Sequence, residues 1–251
     1  MQKSSILGLV SGIALATLGT ASAVQAAIVT VPTGLNPGDK YRLVFVTSGT
    51  RDSSSPNIAD YNTFVTNQVT PTSALGLSLT ANGLTPTWTA IGSTATVNAK
   101  TNTLTDPVAN ASTSVPIYLI NGNKVATGYG DLWDASILTP IGVTESGGSA
   151  IGGAFAWAWT GTLANGTYSG PYNALGGLGT SVTVGLANVT ASGWISSALA
   201  DKTSNQYVYG MSSILTVPQA QPQSVPEPSS VFGYIMLGGL MLGGAIRRAK
   251  K

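Results

Sequence analysis

The chain has 251 residues and carries 11 Lys or Arg, 9 Asp or Glu, and neither His nor Cys. The absence of His and Cys excludes disulfides, thiolate nucleophiles, imidazole bases and any zinc, haem or iron–sulfur site built from these residues. Residues 28–225 contain six cations and eight anions, a net charge of −2 with no basic patch, so we expect no nucleic-acid partner.

Residues 1–27 have the three parts of a secretory signal peptide. Lys3 is the positive start, a 13-residue apolar stretch follows, and small residues lead to the expected cleavage after Ala26 or Ala27, with Ala23 as the alternative. A signal helix of this length spans only about 20 Å, which is too short for a bilayer core of about 30 Å. No Arg-Arg pair precedes the stretch, so we expect the general secretion machinery and signal peptidase to process the chain.

Strand-like runs dominate residues 28–217, which we interpret as one β-rich extracytoplasmic domain. These runs are rich in β-branched and aromatic residues and are bounded by turn residues. The predicted strands are Tyr41–Thr47, Val115–Ile120, Ala154–Thr160, Ser181–Val184, Gln206–Tyr209 and Ile214–Val217. Asn121 and Gly122 both tolerate positive φ, so they predict a type I′ hairpin with Lys124–Ala126 as the returning strand.

Two segments of the domain predict helices. Apolar residues recur at helical spacing in Asn57–Val69, and Asn57 is a candidate N-cap. Ala191–Leu199 is a weaker candidate, because Gly193 interrupts it. We therefore expect a β-rich domain with one or two helices, and an all-β sandwich is the alternative.

Tryptophans are the candidate ligand contacts of the domain. Phe155, Trp157 and Trp159 alternate with alanines along one predicted strand, and we expect this aromatic face to be buried. Trp133 and Trp194 lie near predicted loops, so they are the candidates for exposed contact with a ligand. Stacking on sugar rings is the contact that such exposed aromatic side chains favour.

Asp131 and Asp134 are the candidate catalytic pair, because two carboxylates flanking a cleft can hydrolyse a glycosidic bond. We favour a different interpretation, in which both residues hold a turn, since Asp is common in turns and caps. Together with Asn121 and Asn123 they match no calcium-binding spacing. We therefore predict no catalytic residues, no metal site and no cofactor.

Several aromatic motifs follow one another through residues 40–217. They are Trp88-Thr-Ala-Ile91, Val115-Pro-Ile-Tyr-Leu-Ile120, Leu132-Trp-Asp134, Ala158-Trp-Thr-Gly161, Gly193-Trp-Ile195 and Tyr207-Val-Tyr-Gly-Met-Ser212. Their order resembles the endostatin-type domain of collagens, a variant of the C-type lectin-like fold. The resemblance implies an α+β class with a twisted mixed sheet and a helix. It transfers no site, because the histidines, cysteines and arginine cluster of that family are absent.

The C-terminal end is divided into three parts. Residues 218–225 form a Pro/Gln linker that we expect to be extended. Val231–Ile246 carries no charge, and it predicts a marginal transmembrane helix of about 24 Å. A basic stop follows, which the positive-inside rule places in the cytoplasm. Its cations are Arg247, Arg248, Lys250 and Lys251.

Pro226, Glu227 and Pro228 directly precede the predicted transmembrane helix. The order of motif, Gly-rich apolar helix and basic end over residues 226–251 resembles the PEP-CTERM sorting signal of Gram-negative bacteria. The resemblance implies cleavage near this motif by an exosortase, a transpeptidase-like membrane enzyme, as part of surface delivery associated with exopolysaccharide and biofilm matrix. An ordinary single-pass anchor with a Pro-rich stalk is the alternative.

We interpret the chain as an exported, non-enzymatic protein that pauses in the inner membrane and ends at the cell surface or in the extracellular matrix. Its expected partners are the secretion machinery, signal peptidase, an exosortase and extracellular polysaccharide. Trp133 and Trp194 would contact the polysaccharide. Two alternatives stay open: a secreted carbohydrate-active hydrolase that uses Asp131 and Asp134, and a self-associating structural subunit of the matrix.

Overall fold

A computed structural model describes residues 27–150 and 156–219. Within these residues, nine strands form one mixed sheet that is accompanied by four short helices. The strands are β1 (Lys40–Val46), β2 (Trp88–Ala90), β3 (Ile117–Leu119), β4 (Lys124–Ala126), β5 (Trp157–Trp159), β6 (Ser181–Leu186), β7 (Ala198–Asp201), β8 (Tyr207–Ser212) and β9 (Leu215–Thr216). The helices are α1 (Ile58–Gln68), α2 (Ala74–Ala81), α3 (Ala99–Asn102) and α4 (Tyr129–Leu132).

The strand order is β4-β3-β1-β8-β5-β6-β7, with β2 paired to β8 and β9 paired to β1. The β1–β3 and β5–β8 pairs are parallel, and the other pairs are antiparallel. The β-rich class with a mixed sheet is therefore confirmed. The two packed sheets of the all-β sandwich are not formed by the described residues.

The sheet separates two apolar cores, and β1 belongs to both. Its apolar run is buried along almost the whole strand, which is typical of a strand covered on both faces. Val44 faces the first core, which also holds Met211 of β8. Phe45 faces the second core, which is covered by Tyr61 and Val65 of α1.

The predicted helix at residues 57–69 is confirmed as α1. The side chain of Asn57 accepts a hydrogen bond from the backbone N–H of Ala59 at 3.1 Å, so Asn57 is the N-cap. The predicted helix at Ala191–Leu199 is wrong. Only a 3₁₀ turn, Ser192–Trp194, forms there, because the chain then turns to pair with β6 as strand β7.

The hairpin after β3 is confirmed, with β4 as the returning strand. The predicted type I′ turn is wrong, because Gly122 has a φ of +89° whereas Asn121 keeps a negative φ. Gly122 instead ends a four-residue turn that its N–H closes onto the carbonyl of Leu119 at 2.8 Å. Ile117 pairs with Ala126, but the next residue, Tyr118, pairs with Lys124, so β4 has one residue more than β3 at this point. Such a register shift is typical of hairpins with a glycine bulge.

No helix among the described residues is long and apolar enough to cross a membrane. The predicted signal helix and the predicted transmembrane helix, residues 231–246, lie outside the described residues. The sorting motif and the basic stop also lie outside them.

Candidate functional site

Trp133 and Trp194 were the candidates for exposed contact with a ligand, and the structure buries both. Their side chains are 6% and 1% exposed, and their ring centroids lie 5.9 Å apart in the first core. Trp133 satisfies its indole N–H inside the protein, where Nε1 donates to the carbonyl and to the hydroxyl of Thr105 at 3.1 and 3.0 Å. The loops that carry both residues fold back onto the sheet, so neither ring offers a face for stacking on a sugar.

Of the aromatic face expected to be buried, Trp159 is buried and Trp157 is half-buried, whereas Phe155 lies outside the described residues. Trp159 is fully buried in the second core, and its Nε1 donates to the carbonyl of Arg51 at 2.8 Å. Trp157 packs partly buried against the same core, whereas Ala158 faces the first core. The alternation of large and small side chains therefore follows the two faces of the sheet.

Asp131 and Asp134 each bond within their own loop. One carboxylate oxygen of Asp131 accepts from the backbone N–H and the hydroxyl of Thr127 at 2.6 and 2.8 Å. Asp134 accepts from the N–H and the hydroxyl of Ser136, both at 3.1 Å. Such local bonds are typical of residues that hold turns or cap helices, as we expected for both aspartates. Across residues 27–150 and 156–219, no group of three or more Asp, Glu, His or Cys is placed to hold a metal ion.

Arg42 and Glu145 are the charged residues that the described structure buries, each 4% exposed. The buried carboxylate of Glu145 receives two hydrogen bonds from one residue, because the backbone N–H and the hydroxyl of Ser48 both donate to it. Arg42 has no such anion. The ion pairs formed within the described part of the chain are Arg51–Asp52 and Lys100–Asp106.

The guanidinium of Arg42 is held by neutral groups only. Its Nε donates to the hydroxyl of Tyr129 at 2.9 Å, and its Nη1 donates to the carbonyl of Ser212 at 2.8 Å. The ring of Tyr129 also lies against the cation, with its centroid 5.4 Å from Cζ. Nη2 has no hydrogen-bond partner among the residues that the structure describes. The arrangement fixes the guanidinium and leaves the two N–H groups of Nη2 without a described partner.

Arg42 lines a pocket of ≈ 200 Å³ at the end of one face of the sheet. Arg42 and Val44 share this face of β1, because side chains alternate along a strand. Val44 pairs with Met211 of β8, and Met211 pairs in turn with Thr89 of β2. The pocket lies where this apolar face gives way to polar residues. Its other lining residues are Thr87, Thr89, Asn102, Thr103, Leu104, Ser213 and Ile214.

Hydroxyl groups form one wall of the pocket. Thr87 and Thr89 lie on the same side of the chain at β2, and neither hydroxyl bonds to another described residue. Ser213 is positioned opposite them, since its hydroxyl accepts from the N–H of Thr87 at 3.2 Å. The amide of Asn102 is already paired with that of Asn62 in both directions, at 2.8 and 3.0 Å. The free hydrogen-bonding capacity of the wall therefore belongs to the threonines.

Leu104, an apolar residue of the pocket lining, has an unfavourable backbone conformation. Its φ is +55°, a region that costs a non-glycine residue about 1–2 kcal/mol, and its side chain is 60% exposed. It follows the end of α3, where Thr105 N–H donates to the carbonyl of Lys100 at 2.8 Å, an arrangement that usually takes glycine. Strained residues of this kind are concentrated at ligand sites.

The two ionised groups nearest to Leu104 in sequence neutralise each other. Lys100 Nζ lies 2.9 Å from a carboxylate oxygen of Asp106. The hydrogen bond from Lys100, with those from the N–H groups of Val108 and Ala109, holds the pKa of the Asp106 carboxyl below its usual range. Arg42 is thus the unneutralised charge that lines the pocket.

Sequence reasoning missed Arg42, although a signal was available: it is a cation inside an otherwise apolar predicted strand. The pocket combines the unpartnered Nη2 of a guanidinium, free hydroxyls and apolar side chains, which is a chemistry of binding. No family model matches the chain, and no curated protein matches it.

Proposed function

We propose that the protein is exported, sorted by an exosortase, and delivered to the cell surface or extracellular matrix, where its domain binds exopolysaccharide without catalysing a reaction. The observation that carries this proposal is the order of three parts at the C-terminus. Pro226-Glu227-Pro228 precedes the uncharged stretch Val231–Ile246 and a basic end, and residues 1–27 supply a secretory signal. This is the order of a PEP-CTERM sorting signal.

The length of chain between the sheet and the sorting motif is compatible with cleavage while the domain is folded. Val217 is the last residue bonded to the sheet region, through its N–H to the carbonyl of Asp39 at 2.8 Å. Eight residues, 218–225, separate it from Pro226. At 3.3–3.6 Å per residue they reach at most about 26–29 Å. A membrane enzyme can therefore reach the motif while the domain stays folded.

We also propose that the domain has the C-type lectin-like fold of endostatin-type domains. The mixed sheet, the 11-residue helix α1 and the order of the aromatic motifs support this assignment. The fold alone does not specify a ligand. The local bonds of Asp131 and Asp134 give no support to the hydrolase alternative.

Processing in a host with and without its exosortase tests the sorting proposal. Mass spectrometry of the surface-extracted protein should find that residues 229–251 have been removed from the wild type, and Glu227→Ala should prevent this removal. Pro222→Ala, in the linker, is the matched control and should be processed normally. Surface protein that still carries Arg247–Lys251 in the presence of the exosortase would support the single-pass anchor instead.

A further inference from the structure

We propose that the Arg42 pocket binds the carboxylate of a uronic acid residue within an acidic polysaccharide. This inference rests on the proposed function for the class of polymer, and it adds the charged group that is recognised and the residues that recognise it. Those residues are Arg42, Thr87, Thr89 and Leu104.

The unpartnered Nη2 of Arg42 is the first reason for a carboxylate. A guanidinium has five N–H groups in a fixed plane, and two of them donate to protein atoms, Tyr129 Oη and Ser212 O. The N–H groups of Nη2 can donate to a carboxylate oxygen, and such charge-assisted hydrogen bonds are stronger than those between neutral groups. A bound carboxylate would supply the counter-charge that no described residue supplies.

The charge of the pocket favours a carboxylate over a phosphate. Arg42 is the cation among the lining residues, and the pocket volume is ≈ 200 Å³. A phosphate group carries up to two charges and is usually bound by several cations or by a row of backbone N–H groups. One buried guanidinium matches a single negative charge.

The lining of the pocket favours a sugar as the carrier of the carboxylate. The hydroxyls of Thr87 and Thr89 are free to donate to and accept from ring hydroxyls. Leu104 and Ile214 add apolar surface to the lining, which suits the C–H groups of a pyranose ring. Leu104 has a strained conformation, with φ +55°, and its side chain is exposed.

Binding of defined oligosaccharides to the purified full chain in detergent tests the inference. The probes are oligogalacturonate and alginate oligomers, compared with methyl-esterified oligogalacturonate of the same length. We expect calorimetry to show binding of at least one acidic probe and at least tenfold weaker binding of the ester. Equal binding of acid and ester, or no binding of either acidic probe, would overturn the inference.

Variants of the pocket identify the residues that bind. Arg42→Lys keeps the charge but removes the planar donor group, and with it the N–H groups of Nη2, so we expect at least a tenfold loss of affinity. Because Arg42 also bonds to Tyr129 and Ser212, Thr89→Val is the second variant, with an expected loss of threefold or more and an unchanged melting temperature. Thr85→Val, on the exposed chain just before β2 and outside this pocket, is the matched control. A loss of affinity equal in the Thr85 and Thr89 variants would place the ligand elsewhere.

Two further arms separate the sources of failure. Acetate and inorganic phosphate are added as competitors. If either displaces the oligosaccharide at equal concentration, the pocket recognises the anion alone, and the proposed contacts to the sugar ring are wrong. Processing at residues 226–228 is measured separately, on protein extracted from the surface of a host that has the exosortase. Normal processing there without binding of an acidic probe removes only this inference, whereas Arg42-dependent binding by the full chain without processing in that host removes only the sorting proposal.

Discussion

The rings of Trp133 and Trp194 pack against each other in the first core, with their centroids 5.9 Å apart. Tyr209 extends the cluster on the far side of Trp194, at 6.1 Å between centroids. Gly166 allows the chain to pass over Trp133, since a Cβ there would lie 2.8 Å from the indole ring. The aromatic side chains with the largest apolar area therefore stabilise the domain rather than bind its ligand.

Trp133→Ala should lower the free energy of unfolding by about 3–5 kcal/mol, because it leaves a cavity and an unpaired Thr105 carbonyl. Tyr172→Ala is the control, since Tyr172 is 62% exposed, and it should change stability by less than about 0.5 kcal/mol. Urea unfolding measures both variants. A loss below about 1 kcal/mol for Trp133→Ala would show that this ring is not part of the core.

Loss of the hydroxyl group should affect the stability of the domain differently at two fully buried tyrosines. Tyr41 Oη donates to the carbonyl of Thr30 at 2.6 Å, whereas Tyr209 Oη has no partner among the described residues. Tyr41→Phe should cost about 1–2 kcal/mol of stability, and Tyr209→Phe should leave stability unchanged or raise it by up to about 1 kcal/mol. Equal destabilisation in urea unfolding would mean that Tyr209 has a hydrogen bond in solution.

The same tyrosines should make the domain sensitive to alkali. Burial raises the pKa of Tyr41 to about 12 and raises those of Tyr61 and Tyr209 further, whereas tyrosine in an unfolded chain ionises near pH 10. Their contribution to stability is complete below pH 10. Above it the unfolded state loses protons that the folded state keeps, so the free energy of unfolding falls as the pH rises, by up to about 1.4 kcal/mol per unit for each tyrosine.

Urea unfolding at pH 9 to 11.5 measures this slope. Tyr209→Phe should make the decline with pH shallower, because it removes one of the three groups. A stability that stays constant between pH 10 and 11.5 would contradict the assignment.

Leu104 and Ala135 are the non-glycine residues of the described chain with positive φ, +55° and +82°. Leu104→Gly and Ala135→Gly should each raise the free energy of unfolding by about 0.5–1 kcal/mol, because relief of strain exceeds the added entropy of the unfolded chain. Only Leu104→Gly should weaken the binding of acidic oligosaccharides. Thermal unfolding and calorimetry measure the two effects, and equal binding by both variants would exclude Leu104 from the ligand site.

Local patterns in the sequence were sufficient for much of the fold. The run that includes Arg42 forms β1 within one residue of its predicted bounds, and Asn57 caps α1 as predicted. Helix α2 was missed because its apolar residues surround the helix rather than mark one face, although Ser73 caps it through the N–H of Gly76 at 3.1 Å. Strand β7 was missed because its pairing with β6, rather than its own composition, makes it a strand.

The candidate site was not predictable from local patterns, because its parts are far apart in sequence. Arg42 bonds to Tyr129 across 87 positions and to Ser212 across 170. The burial of Trp194 likewise depends on a contact with a different part of the chain. Gly185 of β6 lets the turn that carries Trp194 approach closely, since a Cβ there would lie 2.0 Å from the carbonyl oxygen of Trp194.

The position of β1, between β3 on one side and β8 with β9 on the other, has a consequence for the order in which the chain can fold. Its partners β8 and β9 are contributed by the last part of the domain, and Leu43 N–H donates to the hydroxyl of Ser212 across 169 positions. Until those strands emerge, β1 lacks partners on one side, and distant pairings of this kind form slowly. A nascent chain would thus remain open until its synthesis is nearly complete, which is the state that a narrow translocation channel accepts.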